Sequence, residues 1–523
     1  MFRAVSVFPA GFTLEAAEAV AGEAAGAAVL RLVDCSLLTP PRDGPDGRSR
    51  YLMLETLRAY GAGRLVETGE QDLAAAALAG YALRVAEEAA TGLQTRTGEP
   101  EAARWLDAED ATMRQALTWA MGHDPEVALR LTIALGWWWF LRGRLAGQRP
   151  MLAEVTGYAE VGSDQWCAVQ FLLAWAAEFS TDMAGAVEHF TVLLDAVAHR
   201  PSSPALADAL AGRSYALRDL GQFPEAAEDA RRALAVAREV GHPFGEVVAL
   251  LDLALAAAAV GDLGDAVRLA RQAGQVPGDI PASITRTCSV WLTEVLIQAN
   301  DFAAAERVCA DGLAASRDVG DMVNLPTLLA RMALLDLRAG RAEDAAAYLR
   351  EALQLALRTG MWFAVYLDCC GHLCAATGRQ AEAVTLWAAY AALLPRDEDW
   401  PADARLRQGP LRAARRVLGP SQARAAEERG AAMGWATAAE YALMLTGSGS
   451  QQPRPPGPGL GKLSAREREL VTLVAQGASN TQIAAQLLIS VRTVGSHLDR
   501  IRDKTGCRRR SDLTRLALTA GLV

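Results

Sequence analysis

The sequence predicts a mostly α-helical chain: a small N-terminal winged helix, a long helical-repeat solenoid and a C-terminal four-helix helix-turn-helix domain. Three observations carry that prediction. A turn followed by a small-residue helix start returns at intervals near forty residues through the middle of the chain. Residues 462–523 hold four helix-start signals in close succession. Near the N-terminus, apolar helix, short strand, Gly-rich turn, short strand and helix follow one another.

Composition narrows the field first. The chain has 523 residues, 51% of them apolar and 22% charged, which indicates a folded protein of more than one domain. It carries no long uncharged apolar run and no basic start followed by an apolar core, so a cytoplasmic protein without membrane contact is expected. Cysteines 35, 167, 288, 309, 369, 370, 374 and 507 are scattered, as suits reduced thiols in helical cores. No Ser-His-Asp or paired-carboxylate context appears among the six histidines and the acids. No catalytic residue, cofactor or metal is therefore expected, and the chain does not read as an enzyme.

Residues 1–90 form the first expected segment. A helix through Val29, Leu30, Leu32 and Val33 precedes a strand at Ser36–Pro40. A hairpin at Asp43–Gly47, a strand at Tyr51–Met53 and a helix from Leu54 to Leu65 complete a winged-helix pattern.

Residues 91–446 form the repeat array. Its turns fall at Gly143, Thr181, Gly221, Gly261, Asn300, Gly340 and Gly378, with spacings of 38, 40, 40, 39, 40 and 38. An apolar helix such as Val247–Val260 precedes each turn and an amphipathic one such as Pro224–Val240 follows it. Two helices per period make an α-solenoid. Gly at the turn supplies the left-handed backbone that ends the first helix, and Ala226, Ala266 and Ala345 let paired helices approach. The array resembles tetratricopeptide repeats, with a longer unit than is usual there. Solenoids present extended concave surfaces, so a ligand or protein partner is expected on this one; a scaffold that only spaces two ends is the alternative.

Residues 447–461 read as a linker, flexible through its Gly and Ser and stiffer from Pro453 to Pro458. From 462 to 523 the pattern is helical again. Ser464 with Glu467 and Ser479 with Gln482 are capping boxes, and Ser490 and Ser511 are N-caps of two further helices. Gly477 closes the first helix. Val491, Val494, Leu498 and Ile501 form the core face of the third, and Arg492, Thr493, Ser496, Asp499, Arg500 and Asp503 lie opposite. A short helix, a tight turn and a polar-faced helix place that helix in a major groove. Charge points the same way. Residues 462–523 carry eleven Lys/Arg against five acids, a net of +6, and the other 461 residues carry 41 against 56, a net of −15. A basic module on an acidic body concentrates phosphate attraction at one end.

The last segment resembles the DNA-binding domain of the LuxR family of transcription factors. The matching residues are Leu463, Ser464, Arg466, Glu467 and Glu469, then Gly477–Asn480, Ile483-Ala484, Ile489-Ser490, Thr493-Val494, His497-Leu498, Ile501, Lys504 and Gly506. The N-terminal stretches Leu32–Leu38 and Arg50–Tyr60 are similar to the winged helix that follows the nucleotide-binding domain of signal-transduction ATPases. That family joins an ATPase core, this winged helix, a helical-repeat sensor and a LuxR-type end in this order. Here the likeness begins after the ATPase would have ended. No G-x-x-x-x-G-K-[ST] loop occurs, and Gly457–Leu463 has Pro456 and Leu463 where a phosphate loop needs Gly and a hydroxyl. Either a shortened regulator without ATPase control or the tail of a longer ATP-dependent product is expected.

The LuxR resemblance implies a DNA-binding transcriptional regulator, an activator, with Arg492, Thr493, Ser496 and Arg500 facing DNA. Thr481, Lys504 and Arg508 are expected on flanking phosphates. Many relatives carry Lys or Glu where Gly495 stands, so close approach of its backbone to a groove edge, or drift, accounts for it. Asp499 is a candidate acceptor for cytosine N4. The expected partners are double-stranded promoter DNA bound as a dimer, RNA polymerase, and an unidentified ligand or protein on the solenoid; an interaction scaffold is the alternative.

Two other groupings carry less. In Cys369-Cys370-Gly371-His372-Leu373-Cys374, Cys370 and Cys374 share a helix face while His372 points about 160° away from Cys370, which favours core cysteines over a metal site. Trp137-Trp138-Trp139-Phe140 cannot share one helix face, so at least one ring should leave the immediate core, to pack between repeats or to line a surface.

Overall fold

The computed structural model describes residues 1–447 and 463–519, except 24, 360–364, 395–400, 476, 477, 479, 488, 489, 506, 508 and 509. The expected linker therefore lies almost wholly outside the described residues. Two compact units are present: residues 1–257 with 264–291 and 314–323, and residues 258–263 with 292–313 and 324–523.

The first unit opens with α1 (Phe2–Val5), α2 (Leu14–Ala21), α3 (Ala25–Asp34), a two-stranded hairpin and α4 (Glu55–Thr68). The hairpin pairs β1 (Arg42–Asp43) with β2 (Ser49–Arg50) antiparallel, Arg42 opposite Arg50. A strand was expected at Ser36–Pro40 instead. Ser36 takes the left-handed conformation (φ 57), and the Leu37 and Leu38 N–H groups both return to the Leu32 carbonyl, so this stretch caps α3. Pro40 and Pro41 then offer no N–H to a ladder. Tyr51 forms only an isolated bridge to Phe12.

α5 (Gln71–Leu93) runs across residue 90, the expected end of the winged-helix segment. Its Tyr81 ring meets Phe8 edge-on at 6.5 Å, and Phe8 stacks on Phe12 at 4.7 Å, so one core is shared. α6 (Glu99–Ala108), α7 (Asp110–His123), α8 (Pro125–Leu141) and α9 (Arg149–Thr156) lead into the repeats. The paired helices are α10 (Asp164–Glu178) with α11 (Met183–Val197), α12 (Pro204–Asp219) with α13 (Phe223–Val240), α14 (Pro243–Ala259) with α15 (Leu263–Ala273) and α16 (Ala282–Gln298) with α17 (Phe302–Val319). They continue as α18 (Asn324–Arg338) with α19 (Ala342–Thr359) and α20 (Val365–Ala376) with α21 (Gln380–Leu393). α22 (Pro401–Ala431), broken at Gly419, and α23 (Trp435–Leu445) follow.

All seven turn residues that set the period have positive φ: Gly143, Thr181, Gly221, Gly261, Asn300, Gly340 and Gly378, between 60° and 90°. The backbone leaves each first helix through a left-handed residue and re-enters the second. Ala226, Ala266 and Ala345 are buried at the helix contacts. Thr181 is the outlier, since a β-branched residue is poorly suited to φ 60. Replacing Thr181 with Gly should raise stability by about 0.5–1 kcal/mol, the left-handed penalty less the chain entropy glycine loses. The urea midpoint would fall instead if the Thr181 Oγ1 bond to the Ser180 carbonyl outweighs that relief.

The first unit closes on itself. The Arg286 guanidinium is held between Glu99 (2.6 Å) and Asp321 (2.7 Å), all three buried, and the Ser283 N–H donates to Glu99 at 2.8 Å. Arg142 donates to the Val319 and Gly320 carbonyls at 3.0 Å. α6 and α8 thus meet residues that follow them by nearly two hundred positions.

Trp138 and Trp139 are buried, and Trp138 Nε1 donates to Asp107 at 2.9 Å. Trp137 is the ring that leaves the core, packing on Phe140, Trp175 and Phe244. In the second unit Cys369, Cys370 and Cys374 are buried in α20, and His372 meets the Trp387 ring at 5.4 Å. Among the described residues no group of three or more His, Cys, Asp or Glu is placed to hold a metal ion. No helix among them is long and apolar enough to cross a membrane.

Candidate nucleic-acid interface

The C-terminal module consists of α24 (Ala465–Ala475), α25 (Asn480–Leu487), α26 (Val491–Thr505) and α27 (Arg510–Thr519). Its core joins Leu463, Leu470, Val471 and Val474 of the first part to Ile483, Leu487, Val494, Leu498, Ile501 and Leu513. Val494, Leu498 and Ile501 are fully buried, as the spacing required; the Val491 side chain lies outside the described residues.

Local chemistry fixes each helix start. The Ser464 N–H donates to Glu467 at 2.7 Å while the Glu467 N–H donates to Ser464 Oγ at 3.2 Å, the reciprocal capping box. Ser490 caps α26, accepting from the Thr493 N–H at 3.0 Å. Ser479 and Gly477 lie outside the described residues. α27 begins at Arg510, so Ser511 sits inside its first turn rather than capping it. Arg466 Nη2 donates to the Leu487 carbonyl at 2.6 Å, which ties α24 to the turn before α26. Thr437 of α23 donates its hydroxyl to the Ala475 carbonyl, at the end of α24.

The outer face of α26 is polar and open. Ser496, Asp499, Arg500 and Asp503 are exposed and Thr493 is half-buried. A Cβ built at Gly495 would meet nothing within 4 Å among the described residues, so none of them demands glycine there. The Thr493 hydroxyl lies 2.8 Å from Ser490 Oγ, at the helix end where free N–H groups favour an anion. Arg508 lies outside the described residues, as do the side chains of Thr481 and Arg492.

Two ion pairs were not anticipated from the sequence. Arg502 Nη1 lies 2.8 Å from Asp499. Lys504 Nζ lies 2.7 Å from both Glu467 oxygens, so a phosphate would compete with that carboxylate for the ammonium. The Lys504 ammonium, and after it the Ser464 N–H, hold the Glu467 carboxyl down at about 2. A depressed carboxylate stabilises the fold above its ordinary value near 4.5, and loses that contribution as pH falls through the folded value. Protection of the first-turn amides of α24, taken relative to their intrinsic exchange rate at each pH, should therefore stay constant above pH 4.5 and fall towards pH 2. Glu467→Gln should abolish that acid-side change; an unchanged profile in the variant would remove Glu467 as its source. The Glu467–Lys504 tie could be found in sequence only as charges of unknown partner, because 37 residues separate the two, whereas Asp499 and Arg502 stand three apart on one helix, a spacing the sequence does offer.

The family described as "GerE: Bacterial regulatory proteins, luxR family" matches residues 461–517. "Putative HTH-type transcriptional regulator Mb0914c" of Mycobacterium bovis is 29% identical over 294 residues, 55% of this chain and 32% of that protein. "Response regulator Rre1" of Synechocystis is 47% identical over 57 residues, 11% of this chain and 25% of that one. The chain spans about a third of the length of the mycobacterial relative. A solved Signal Transduction ATPase with Numerous Domains (STAND) protein with a tetratricopeptide repeat sensor, from Pyrococcus horikoshii, superposes with a TM-score of 0.40 at 13% identity, covering 79% of this chain and 64% of that one. Over 294 residues the chain is thus similar to proteins described as putative HTH-type transcriptional regulators, and its residues 461–517 form a LuxR-type helix-turn-helix domain.

Proposed function

We propose that the protein is a promoter-binding transcriptional activator whose helical-repeat region senses a ligand or partner. The observation that carries this reading is the exposed polar face of α26 on a module of net charge +6 joined to a remainder of net charge −15. Arg492, Thr493, Ser496 and Arg500 face the major groove, and Asp499 reads a base. Thr481 and Arg508 lie on flanking phosphates, with Lys504 beside them where Glu467 orients it. Gly495, free of neighbours, lets the backbone approach a groove edge. Two copies bind half-sites one helical turn apart, about 10 base pairs between centres, and present a surface to RNA polymerase.

The test is binding to the DNA upstream of its own gene and to a random fragment of equal length, titrated across salt. Specific recognition predicts tighter binding to the upstream fragment at every salt, with a linear fall of log affinity against log salt. Arg508→Ala should reduce that slope by about 1 on both fragments. Equal affinity for the two fragments would replace this reading with a scaffold whose tail only localises it.

A further inference from the structure

In the first unit the helices that open successive repeats turn one row of side chains to a common concave face. Trp137 of α8 touches Trp175 of α10 at 5.4 Å between centroids and also Phe244 of α14 at 5.7 Å. α10 and α12 intervene between α8 and α14 in the chain, so these rings bring residues more than a hundred positions apart onto one face. Phe140 extends the wall, 4.7 Å from Trp175 and 5.6 Å from Phe179. Trp137, Trp175, Phe179, Tyr215, Phe244 and Trp291 are half-buried rather than sealed in the core.

One turn beyond Trp175, on the same side of α10, the wall becomes acidic at Glu178. Glu178 lies within range of the charges of Asp219 and Arg218, at the end of α12, and of Asp252 of α14. Arg218 donates to Asp219 at 2.7 Å and lies 3.5 Å from Asp252 Oδ1, and its guanidinium sits 4.1 Å from the Tyr215 ring and 5.4 Å from Trp291. Three carboxylates thus share one guanidinium. The Asp252 side chain is 4% exposed, yet among the described residues its Oδ2 has no hydrogen-bond partner, and neither has Glu178 Oε1 or, on the aromatic wall, Trp137 Nε1. Unpaired buried oxygens are costly, and two surplus carboxylates require two positive charges from elsewhere. Burial lifts the Asp252 carboxyl to about 7 and the Glu178 carboxyl well above the usual range. Each carboxyl thus holds its proton to a higher pH than usual, and a bound cation would compete with that proton.

We propose that this concave face binds a small organic cation, an ammonium or guanidinium group on an aromatic or apolar body. The charged group sits between Glu178 and Asp252, and the body lies on Trp175 and Trp137. An aromatic wall beside carboxylates is what such a ligand needs, because ring faces and anions both attract a desolvated cation. The regulatory meaning of the site rests on the sensor reading above, whereas the binding itself does not.

The experiment is calorimetric titration of the full chain, without DNA, with tryptamine and phenethylamine, and with tryptophol as the neutral counterpart of tryptamine. Saturable binding of the amines at one molecule per chain is expected, with tryptophol weaker by about tenfold or more. Glu178→Gln with Asp252→Asn should weaken the amines by a similar factor and leave tryptophol unchanged. Circular dichroism confirms that the variant is folded, and the comparison of tryptamine with tryptophol on the unaltered chain decides the question if it is not. Absence of saturable amine binding, equal affinity for tryptophol, or amine binding indifferent to the double variant would each overturn the proposal while leaving the DNA-binding reading untouched.

Discussion

Arg286→Met should destabilise the first unit by about 3–5 kcal/mol, the usual cost of removing one partner from a buried ion pair. The side chain of Arg286 is 5% exposed and those of Glu99 and Asp321 are fully buried. Removing the guanidinium takes the opposite charge from two carboxylates in a dry environment, although the Ser283 N–H still donates to Glu99 and the Val323 N–H to Asp321. The loss should appear as an earlier urea transition. The triple change Glu99→Gln, Arg286→Met, Asp321→Asn should recover most of it, because no buried charge is left unpaired. If the single variant unfolds at the same urea concentration as the unaltered protein, this triad does not hold the unit closed.

The second large effect is expected at Asp499. If its carboxylate accepts a hydrogen bond from cytosine N4, Asp499→Ala should relax preference at one base pair by about 1–3 kcal/mol without weakening non-specific binding. The Arg502 pair sharpens the test. Arg502 is held 2.8 Å from Asp499, so the substitution also releases a cation. A base reader loses discrimination at one position even as that release raises affinity everywhere. A uniform gain across all sequences, with discrimination intact, would make Asp499 only a repulsive charge and a tether for Arg502.

Much of the architecture was legible because it is local or periodic. Ser464 with Glu467, and Ser490 with Thr493, satisfy helix ends within four residues, so their pattern survives in any context that permits a helix. The seven turn residues carry the repeat because each must adopt a left-handed backbone, whatever packs around it. The strand at Ser36–Pro40 failed for the complementary reason. Its apolar composition suited a strand, but the Leu32 carbonyl captured the Leu37 and Leu38 N–H groups and two prolines removed the donors at 40 and 41, leaving the Thr39 N–H to reach the Leu52 carbonyl of the expected partner strand. Only the arrangement of neighbouring backbone decides such a competition.

The sequence by itself determined the helical period, the caps of α24 and α26, the buried seam of α26 and the concentration of positive charge at one end. Each depends on residue types a few positions apart or on a sum of charges. The tertiary structure alone decided which charges meet. Glu467 takes Lys504 across 37 residues, and Arg286 joins Glu99 to Asp321. The stacking of the repeats alone decided that Trp137 would lie against Phe244 and that Asp252 would join Asp219 at Arg218. Coulomb energy and ring contact depend on distance in space. Distance in the chain, 35 residues between Arg286 and Asp321 and 187 between Arg286 and Glu99, says nothing of it until the repeats have stacked.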